Sequence, residues 1–231
     1  MKLKRAIVTG GAGFIGSHMV DLLIKKNFHV TVIDNFIGGN KKNIKHHIKN
    51  KNFKFVKLDI CKINNNKYNL FKNVDYVYHF AGISAILPSI EKPSKYMNVN
   101  IQGTVKVLEA SRKAKVKKFV YAGSASCYGL NNSEIDEKTK ISTEHPYALS
   151  KYLGENAVLH WGKVYNIPVN VIRIFNAYGT RVRTNEDYGS VFGVFFNQKI
   201  KNKPLTVVGD GKQERDFVYV TDVANAFYLA S

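Results

Sequence analysis

The feature that most constrains the fold is a strand, a glycine-rich turn, a helix and a second strand ending in an acid, all near the start of the chain. The apolar run Ala6–Thr9 leads directly into the turn Gly10–Gly16, which holds four glycines. An amphipathic stretch follows to about Lys26, and His29–Asp34 reads as the second strand. This order and these hydrophobic periods predict a βαβ unit.

The glycine turn indicates a dinucleotide site. In a βαβ unit, such glycines make a tight turn, let the backbone approach a pyrophosphate, and let the helix pack close to the sheet. The helix N-terminus then presents unpaired N–H groups to the phosphates. Asp34 would accept hydrogen bonds from a ribose diol, which favours NAD over its 2′-phosphorylated relative. Residues 35–38 contain no Arg to bind a 2′-phosphate, and Lys41 and Lys42 are the nearby cations.

The rest of the chain continues the alternation of apolar strands and helices. Such a pattern predicts an α/β fold of the Rossmann type, a doubly wound parallel sheet with helices on both faces. Ligands of such sheets bind at the carboxyl ends of the strands. Further strands are predicted at residues 53–58, 74–80, 118–122 and 169–175, with helices at 96–114 and 147–165.

The pattern changes after residue 176, so two regions are predicted. Residues 1–176 would form the NAD-binding domain, and residues 177–231 the start of a smaller substrate lobe. In the second region we expect a helix at 191–200 and short strands at 205–208 and 217–220. Thr221 is expected to cap a last helix.

Tyr147 and Lys151 form a candidate catalytic pair. Positions four apart share one face of a helix, so the phenol and the ammonium would point the same way. A neighbouring cation lowers the pKa of a phenol and makes it a plausible general base. The plain alternative is that a Tyr and a Lys merely share a helix face. What favours catalysis is the position of the pair near the strand ends that carry the glycine turn.

The composition bounds the function class. The formal net charge is +18, which suggests nucleic-acid binding, but the lysines are scattered and no nucleic-acid recognition motif accompanies them.

Cys61 and Cys127 lack metal-ligand spacing and predict reduced thiols in a cytoplasmic protein. No apolar run is long enough for a membrane span. His46, His47 and His145 lack partners at ligand spacing, so no metal site is predicted, and His79 is expected to be a packed core residue.

Taken together, the motifs resemble those of the extended short-chain dehydrogenases/reductases, in the sugar-nucleotide epimerase/dehydratase family. The resemblance covers essentially all 231 residues. The motifs that carry it are Thr9–His18, Asn100–Thr104, Ser124, Tyr147 with Lys151, Arg173–Gly179, and Gly209–Gly211 through Arg215–Phe217.

The resemblance implies a role for each matching position. Tyr147 would be the base that takes a proton from a sugar hydroxyl, and Ser124 would hydrogen-bond the reacting oxygen. Lys151 would hold the nicotinamide ribose and lower the Tyr147 pKa. Asn176 and Arg215 would hold the diphosphate of a nucleotide sugar. The planar guanidinium group of Arg215 can donate two parallel hydrogen bonds to phosphate oxygens. The other implied cofactor-binding residues are Gly10, Gly13, Phe14, Ile15, Gly16, Asp34, Asn35, Asp59, Ile60, Phe80, Ala81, Gly82 and Asn100, and the other substrate-binding residues are Ser84 and Ser126.

One departure narrows the implied reaction. The family's 4,6-dehydratases carry Asp-Glu after the catalytic hydroxyl residue, and its decarboxylases carry a Glu at the second of these positions. This chain has Ala125-Ser126 there. What remains is hydride and proton transfer at one carbon, which is 4-epimerisation of a UDP-hexose such as UDP-glucose or UDP-N-acetylglucosamine.

Several alternatives stay open at this point. The chain could be another sugar-nucleotide-modifying member of the family, namely a dehydratase, decarboxylase or reductase, or a catalytically weak NAD-binding fragment or scaffold. Family members run on beyond the equivalent of Ser231, so an incomplete substrate lobe with weakened turnover is expected. The resemblance also implies a homodimer formed through the helices at 96–114 and 147–165.

Overall fold

The main sheet is fully parallel. It is seen in a computed structural model that describes residues 3–130, 134–184 and 190–231. Its six strands are β1 (Arg5–Thr9), β2 (His29–Asp34), β3 (Phe53–Lys57), β4 (Tyr76–His79), β5 (Lys118–Ser124) and β6 (Val169–Ile174). Their spatial order is β3-β2-β1-β4-β5-β6. The chain leaves β1 toward one edge and returns beside it with β4, which creates a crevice at the switch point. The predicted doubly wound sheet is confirmed.

Helices cover both faces of this sheet. The helices are α1 (Phe14–Lys25), α2 (Ile86–Glu91), α3 (Pro93–Met97), α4 (Thr104–Ala114), α5 (Pro146–Tyr165), α6 (Val191–Ile200) and α7 (Val220–Leu229). α1 and α7 lie on one face, and α4 and α5 lie on the other. Among the helices in the described ranges, none combines the length and apolar character that crossing a bilayer needs.

Two hydrophobic cores form because alternate residues of a strand point to opposite faces. On β1, Ile7 packs into the core beneath α4 and α5, together with Leu108 and Val158. Its neighbour Val8 packs into the opposite core, beneath α1 and α7. Strands buried on both faces explain why β1 and β2 read as continuous apolar runs.

The helix expected at residues 96–114 is longer and interrupted. It begins at Pro93, the first residue of α3, and reaches α4 through a π-helical turn at Asn98–Gly103. Proline is well tolerated at a first helical position because its missing N–H would have no partner there. Single π-helical turns inside α-helices often mark functional sites.

The region after residue 176 departs most from the sequence-based expectation. A second, two-stranded parallel sheet pairs β7 (Asn176–Tyr178) with β8 (Phe217–Tyr219), whereas Leu205–Val208 forms no strand. The apolar side chains of 205–208 are mostly exposed, and β-propensity without a pairing partner does not make a strand. α7 begins at Val220, with no side-chain cap, so the prediction that Thr221 caps it is wrong.

α7 connects the two regions into which the chain was predicted to divide. Val223, Ala224 and Phe227 of α7 are buried against α1 in the core of the main sheet. The last helix of the second predicted region therefore packs on the sheet of the first, and the division at residue 176 stays a prediction.

Candidate functional site

A groove of about 620 Å³ opens at the carboxyl ends of the main strands. Most of the residues predicted from the sequence to bind the cofactor or the substrate, or to act in catalysis, line it. These are Gly10, Gly13, Phe14, Ile15, Gly16, Asp34, Asn35, Asp59, Ile60, Phe80, Ala81, Gly82, Ser84, Ser124, Tyr147 and Lys151. Four predicted residues do not line it, namely Asn100, Ser126, Asn176 and Arg215.

The glycine turn brings three backbone segments into contact. Gly10 has a φ of +70°, and a Cβ there would lie 2.7 Å from the Ala81 amide nitrogen. A Cβ on Gly16 would lie 2.3 Å from the Gly10 carbonyl oxygen. No side chain caps α1 at Gly13, so its first N–H groups face a cradle without side chains. This arrangement fits a dinucleotide pyrophosphate.

Asp34 lies at the end of β2, as predicted, and only 7% of its surface is exposed. One carboxylate oxygen accepts a hydrogen bond from the Phe36 amide at 2.7 Å, and the other accepts one from the Ala12 amide at 3.0 Å. Burial raises the pKa of Asp34, and these two N–H donors oppose that rise. Each oxygen retains capacity for a further hydrogen bond, which suits a ribose diol.

Tyr147 and Ser124 meet inside the groove. The Tyr147 hydroxyl donates a hydrogen bond to Ser124 Oγ at 3.4 Å. Ser124 Oγ also lies 2.8 Å from Ser126 Oγ. The two hydroxyls come from the end of β5 and the first turn of α5, so the fold brings together residues far apart in the chain. Ser126 supports Ser124 from behind the groove surface.

Lys151 occupies a different electrostatic position from the predicted one. Its Nζ donates to the Ala122 carbonyl at 2.5 Å and lies 4.4 Å from the Tyr121 ring centroid. Burial lowers the pKa of Lys151 to about 7, and the nearby Glu155 carboxylate raises it. Burial raises the pKa of Tyr147, and only the Ser124 hydrogen bond lowers it. The predicted lowering of the Tyr147 pKa by Lys151 is therefore wrong for this arrangement, because desolvation dominates for both groups.

Asn100 braces the groove from below. Its side-chain amide donates to the Ile83 carbonyl at 3.0 Å and to Ser150 Oγ at 2.9 Å, and its carbonyl accepts from the Ile83 amide at 2.9 Å. Asn100 is 1% exposed and belongs to the π-helical turn. It ties the loop after Gly82 to α5, instead of lining the groove as a cofactor-binding residue would.

The predicted diphosphate-binding residues lie outside the groove. Asn176 is exposed and donates to the Asp216 carbonyl at 3.0 Å. Arg215 is exposed, and its guanidinium donates to the neighbouring Glu214 carbonyl at 2.6 Å. Their predicted role remains a prediction that this geometry does not assemble.

Sequence reasoning missed a set of cations that line the groove: Lys92, Lys95 and Arg183. Arg183 donates to the Gly38 carbonyl at 3.0 Å and to the Ile37 carbonyl at 3.3 Å. A Cβ on Gly38 would lie 2.5 Å from the Arg183 guanidinium, so this glycine permits the contact. Arg183 is far along the chain from residues 35–38, and it reaches that segment through tertiary folding alone.

Two predictions about histidines have different outcomes. His79 is a packed core residue, as predicted: its ring nitrogens contact Thr9 Oγ1 at 2.6 Å and Thr104 Oγ1 at 2.9 Å, and burial lowers its pKa to about 3. The prediction that His46 and His47 lack a partner at metal-ligand spacing is wrong, because the fold brings Asp21 against both rings.

The Asp21 cluster has the residue types of a metal site but is already fully paired. One Asp21 oxygen contacts His46 Nε2 at 2.9 Å and His47 Nε2 at 2.7 Å, and the other accepts from Arg181 at 2.7 Å. The Arg181 charge and the net charge of +18 both oppose a divalent cation there.

Known proteins match this chain along almost its whole length. The sequence profile of the NAD dependent epimerase/dehydratase family matches residues 6–231. A putative UDP-glucose 4-epimerase of Methanocaldococcus jannaschii is 40% identical over 226 residues, which is 97% of this chain and 72% of that protein. Other relatives are decarboxylases, such as a UDP-N-acetyl-alpha-D-glucosaminuronate decarboxylase of Bacillus cytotoxicus at 34% identity, covering 98% of this chain and 71% of that protein.

Solved structures agree with the fold. A UDP-N-acetylglucosamine 4-epimerase from Methanobrevibacter ruminantium superposes with a TM-score of 0.93 at 32% identity, over 100% of this chain and 73% of that one. A UDP-glucuronic acid 4-epimerase from Bacillus cereus, solved with UDP-glucuronic acid and NAD, gives 0.90 at 35% identity, over 98% and 72%. The predicted family and the predicted NAD cofactor are confirmed. This chain, with its Rossmann-type sheet and its glycine cradle, belongs to the NAD dependent epimerase/dehydratase family.

Proposed function

We propose that this chain is an NAD-dependent 4-epimerase of a UDP-hexose. The observation that carries the proposal is the contact between Tyr147 and Ser124 at the carboxyl edge of the sheet, in the same groove as the glycine cradle. This arrangement supports roles for Tyr147 as a base and for Ser124 as a hydrogen-bond donor to one sugar hydroxyl, beside a dinucleotide site. The UDP-sugar 4-epimerases among the relatives support the same reaction.

Each residue has a defined part in this mechanism. NAD, when bound, supplies the acceptor and later the donor of the hydride at C4. Tyr147 acts as the base in its phenolate form: its oxygen takes the proton of the C4 hydroxyl, and Ser124 hydrogen-bonds the same hydroxyl oxygen. The resulting 4-keto sugar would rotate and present the opposite face of C4. Tyr147 would then return the proton to the C4 oxygen as the hydride returns to C4. Lys151 has N–H donors beyond the one given to Ala122, and these suit the nicotinamide ribose.

The residues after Ser124 favour epimerisation over the other reactions of the family. Ala125 carries no acid or base, and the hydroxyl of Ser126 is engaged with Ser124. Loss of water or of carbon dioxide needs a further proton donor or acceptor near the sugar. None is offered at these two positions, whereas epimerisation needs only the Tyr147 proton and the returned hydride.

The test has two steps. Denatured protein is first examined by mass spectrometry for released NAD, which a cofactor-retaining epimerase should carry. The protein is then offered UDP-glucose, UDP-N-acetylglucosamine and UDP-glucuronic acid, and products are identified by NMR. An epimer of unchanged mass supports the proposal. A product lighter by water or carbon dioxide identifies the dehydratase or decarboxylase alternative, and absence of any product supports the scaffold alternative.

Two further parts of the proposal concern the chain's surroundings. We propose a homodimer formed through the helices at 93–114 and 146–165, since α5 exposes Leu149, Leu153 and Leu159. Light scattering after gel filtration tests this, and a monomeric mass contradicts it. We also propose a cytoplasmic location, which the two free cysteines favour.

A further inference from the structure

His145 is an unusual cap on the helix that carries the proposed base. It precedes α5 with extended backbone angles, φ −149° and ψ 160°, and its Nδ1 accepts a hydrogen bond from the Ala148 amide at 3.1 Å. Ser, Thr, Asp and Asn are the usual residues at such a position, and none of them titrates near neutral pH. Histidine does, so the cap of this helix is a titratable group.

The cap lies next to the reacting group. Tyr147 is the second residue of α5, so any loosening of the first turn moves the phenol itself. The His145 and Tyr147 rings are also parallel, with an interplanar angle of 4° and centroids 5.9 Å apart. The 3.4 Å contact between Tyr147 and Ser124 therefore depends on a turn that His145 holds closed.

We propose that His145 is a positioning residue for Tyr147: as a neutral imidazole it caps α5 and fixes the phenol against Ser124, and on protonation it releases the first turn. The proposal rests on the proposed function of Tyr147 as the base. An imidazolium has no acceptor nitrogen, so it cannot take the Ala148 hydrogen bond. Its positive charge would also face the positive end of the helix dipole.

The surroundings of His145 favour the neutral form near pH 7. Burial lowers its pKa, and the adjacent Glu144 carboxylate raises it to a smaller extent. Glu144 is itself held by the Leu130 amide at 3.0 Å. Among the described residues, the Tyr147 phenol also faces His145 through the stacked rings, and burial raises its pKa.

The experiment compares three variants. His145→Asn retains an acceptor for Ala148 but does not titrate, His145→Ala removes the cap, and His160→Asn is the matched control, an exposed histidine on the same helix. The pH dependence of kcat with the active UDP-hexose is measured for each. We expect an acid limb in the unchanged chain and in His160→Asn, and its loss in His145→Asn. His145→Ala should lower kcat about fivefold at pH 7.5, with KM little changed.

Two measurements do not depend on turnover. Nitrogen NMR should show His145 protonated on Nε2 only, with a pKa that matches the acid limb. The free energy of unfolding should fall as pH drops from about 6.5 through the folded-state pKa, because the unfolded chain takes up the proton more readily. His145→Asn should lack that part of the fall, and His160→Asn should keep it.

The outcomes separate this proposal from the proposed function. A proton on Nδ1 at neutral pH, or an unchanged acid limb in His145→Asn, overturns the positioning role. A chain that acts on no UDP-hexose contradicts the proposed function alone. Hydrogen exchange of the Ala148 amide then decides the cap: protection at pH 7.5 that is lost in His145→Ala supports it, and an unprotected amide overturns it.

Discussion

The ends of β1 and β2, with Gly10 and Asp34, and the segment 201–217, with Gly209 and Asp210, contain the same local features with opposite structural consequences. Gly10 and Gly209 have φ values of +70° and +69°. Asp34 and Asp210 each accept a hydrogen bond from the amide two residues later, at 2.7 and 3.0 Å. Gly10 and Asp34 lie at the ends of two adjacent strands of the main sheet, whereas every residue from 201 to 217 is exposed. Local backbone chemistry is thus alike in both, and the packing around Gly10 and Asp34 is what distinguishes the region predicted to bind the cofactor.

The largest effect expected in the groove comes from Tyr147→Phe. Removing the hydroxyl removes the base and its contact with Ser124, so kcat should fall by about 10³-fold or more. NAD released on denaturation should be unchanged, because the ring and the cradle remain. Tyr165→Phe, at the far end of α5, is the control and should keep full activity. Activity of Tyr147→Phe close to that of the unchanged chain would remove Tyr147 from the mechanism.

Gly10→Ala against Gly209→Ala tests the comparison directly. Both alanines must adopt a left-handed conformation, but only the first would meet backbone atoms, 2.7 Å from the Ala81 nitrogen. We expect Gly10→Ala to destabilise the fold by about 3 kcal/mol and to abolish NAD retention. Gly209→Ala should cost about 1 kcal/mol, because the atom it meets ends the flexible Gln213 side chain. Urea unfolding measures both, and equal losses would show that packing is not the difference.

Asp34→Ala against Asp210→Ala sharpens the same comparison for binding. Loss of a charged acceptor for the ribose hydroxyls should raise the Kd for NAD about tenfold to a hundredfold. Asp210→Ala removes an equivalent turn hydrogen bond at the surface and should change the Kd by less than about twofold. Calorimetric titration with NAD distinguishes them. A Kd unaffected by Asp34→Ala would exclude this carboxylate from the ribose site.

Arg215→Ala is expected to have the smallest effect. If Arg215 binds the diphosphate, as the resemblance implies, KM for the UDP-hexose should rise about fivefold with kcat unchanged. Lys212→Ala, in the same exposed segment, is the control for general loss of positive charge. An unchanged KM in Arg215→Ala would mean that the exposed position seen in the structure is also its position during turnover.

Features set by local patterns could be predicted from the sequence, and features set by contacts between distant segments could not. Local patterns predicted the strands of the main sheet, the glycine turn, Asp34 and the helix that carries Tyr147 and Lys151. Residues from each of these line the groove. The strand at 205–208 and the Thr221 cap were wrong, since these short segments take their structure from partners distant in the chain. The residues missed, Arg183 above all, reach the groove from segments that carry no local signal.

The order of elements, the dinucleotide cradle and the family follow from local sequence patterns, because hydrophobic periodicity and glycine spacing act over a few residues. Tertiary structure decided what those elements contact. It placed α7 in the core of the main sheet, gave Asp21 three cationic or histidine partners, and gave Asn100 hydrogen bonds to Ile83 and Ser150. It also set the pKa of Lys151 and of Tyr147 by burial, a quantity that depends on the whole surrounding fold and that no spacing along the chain contains.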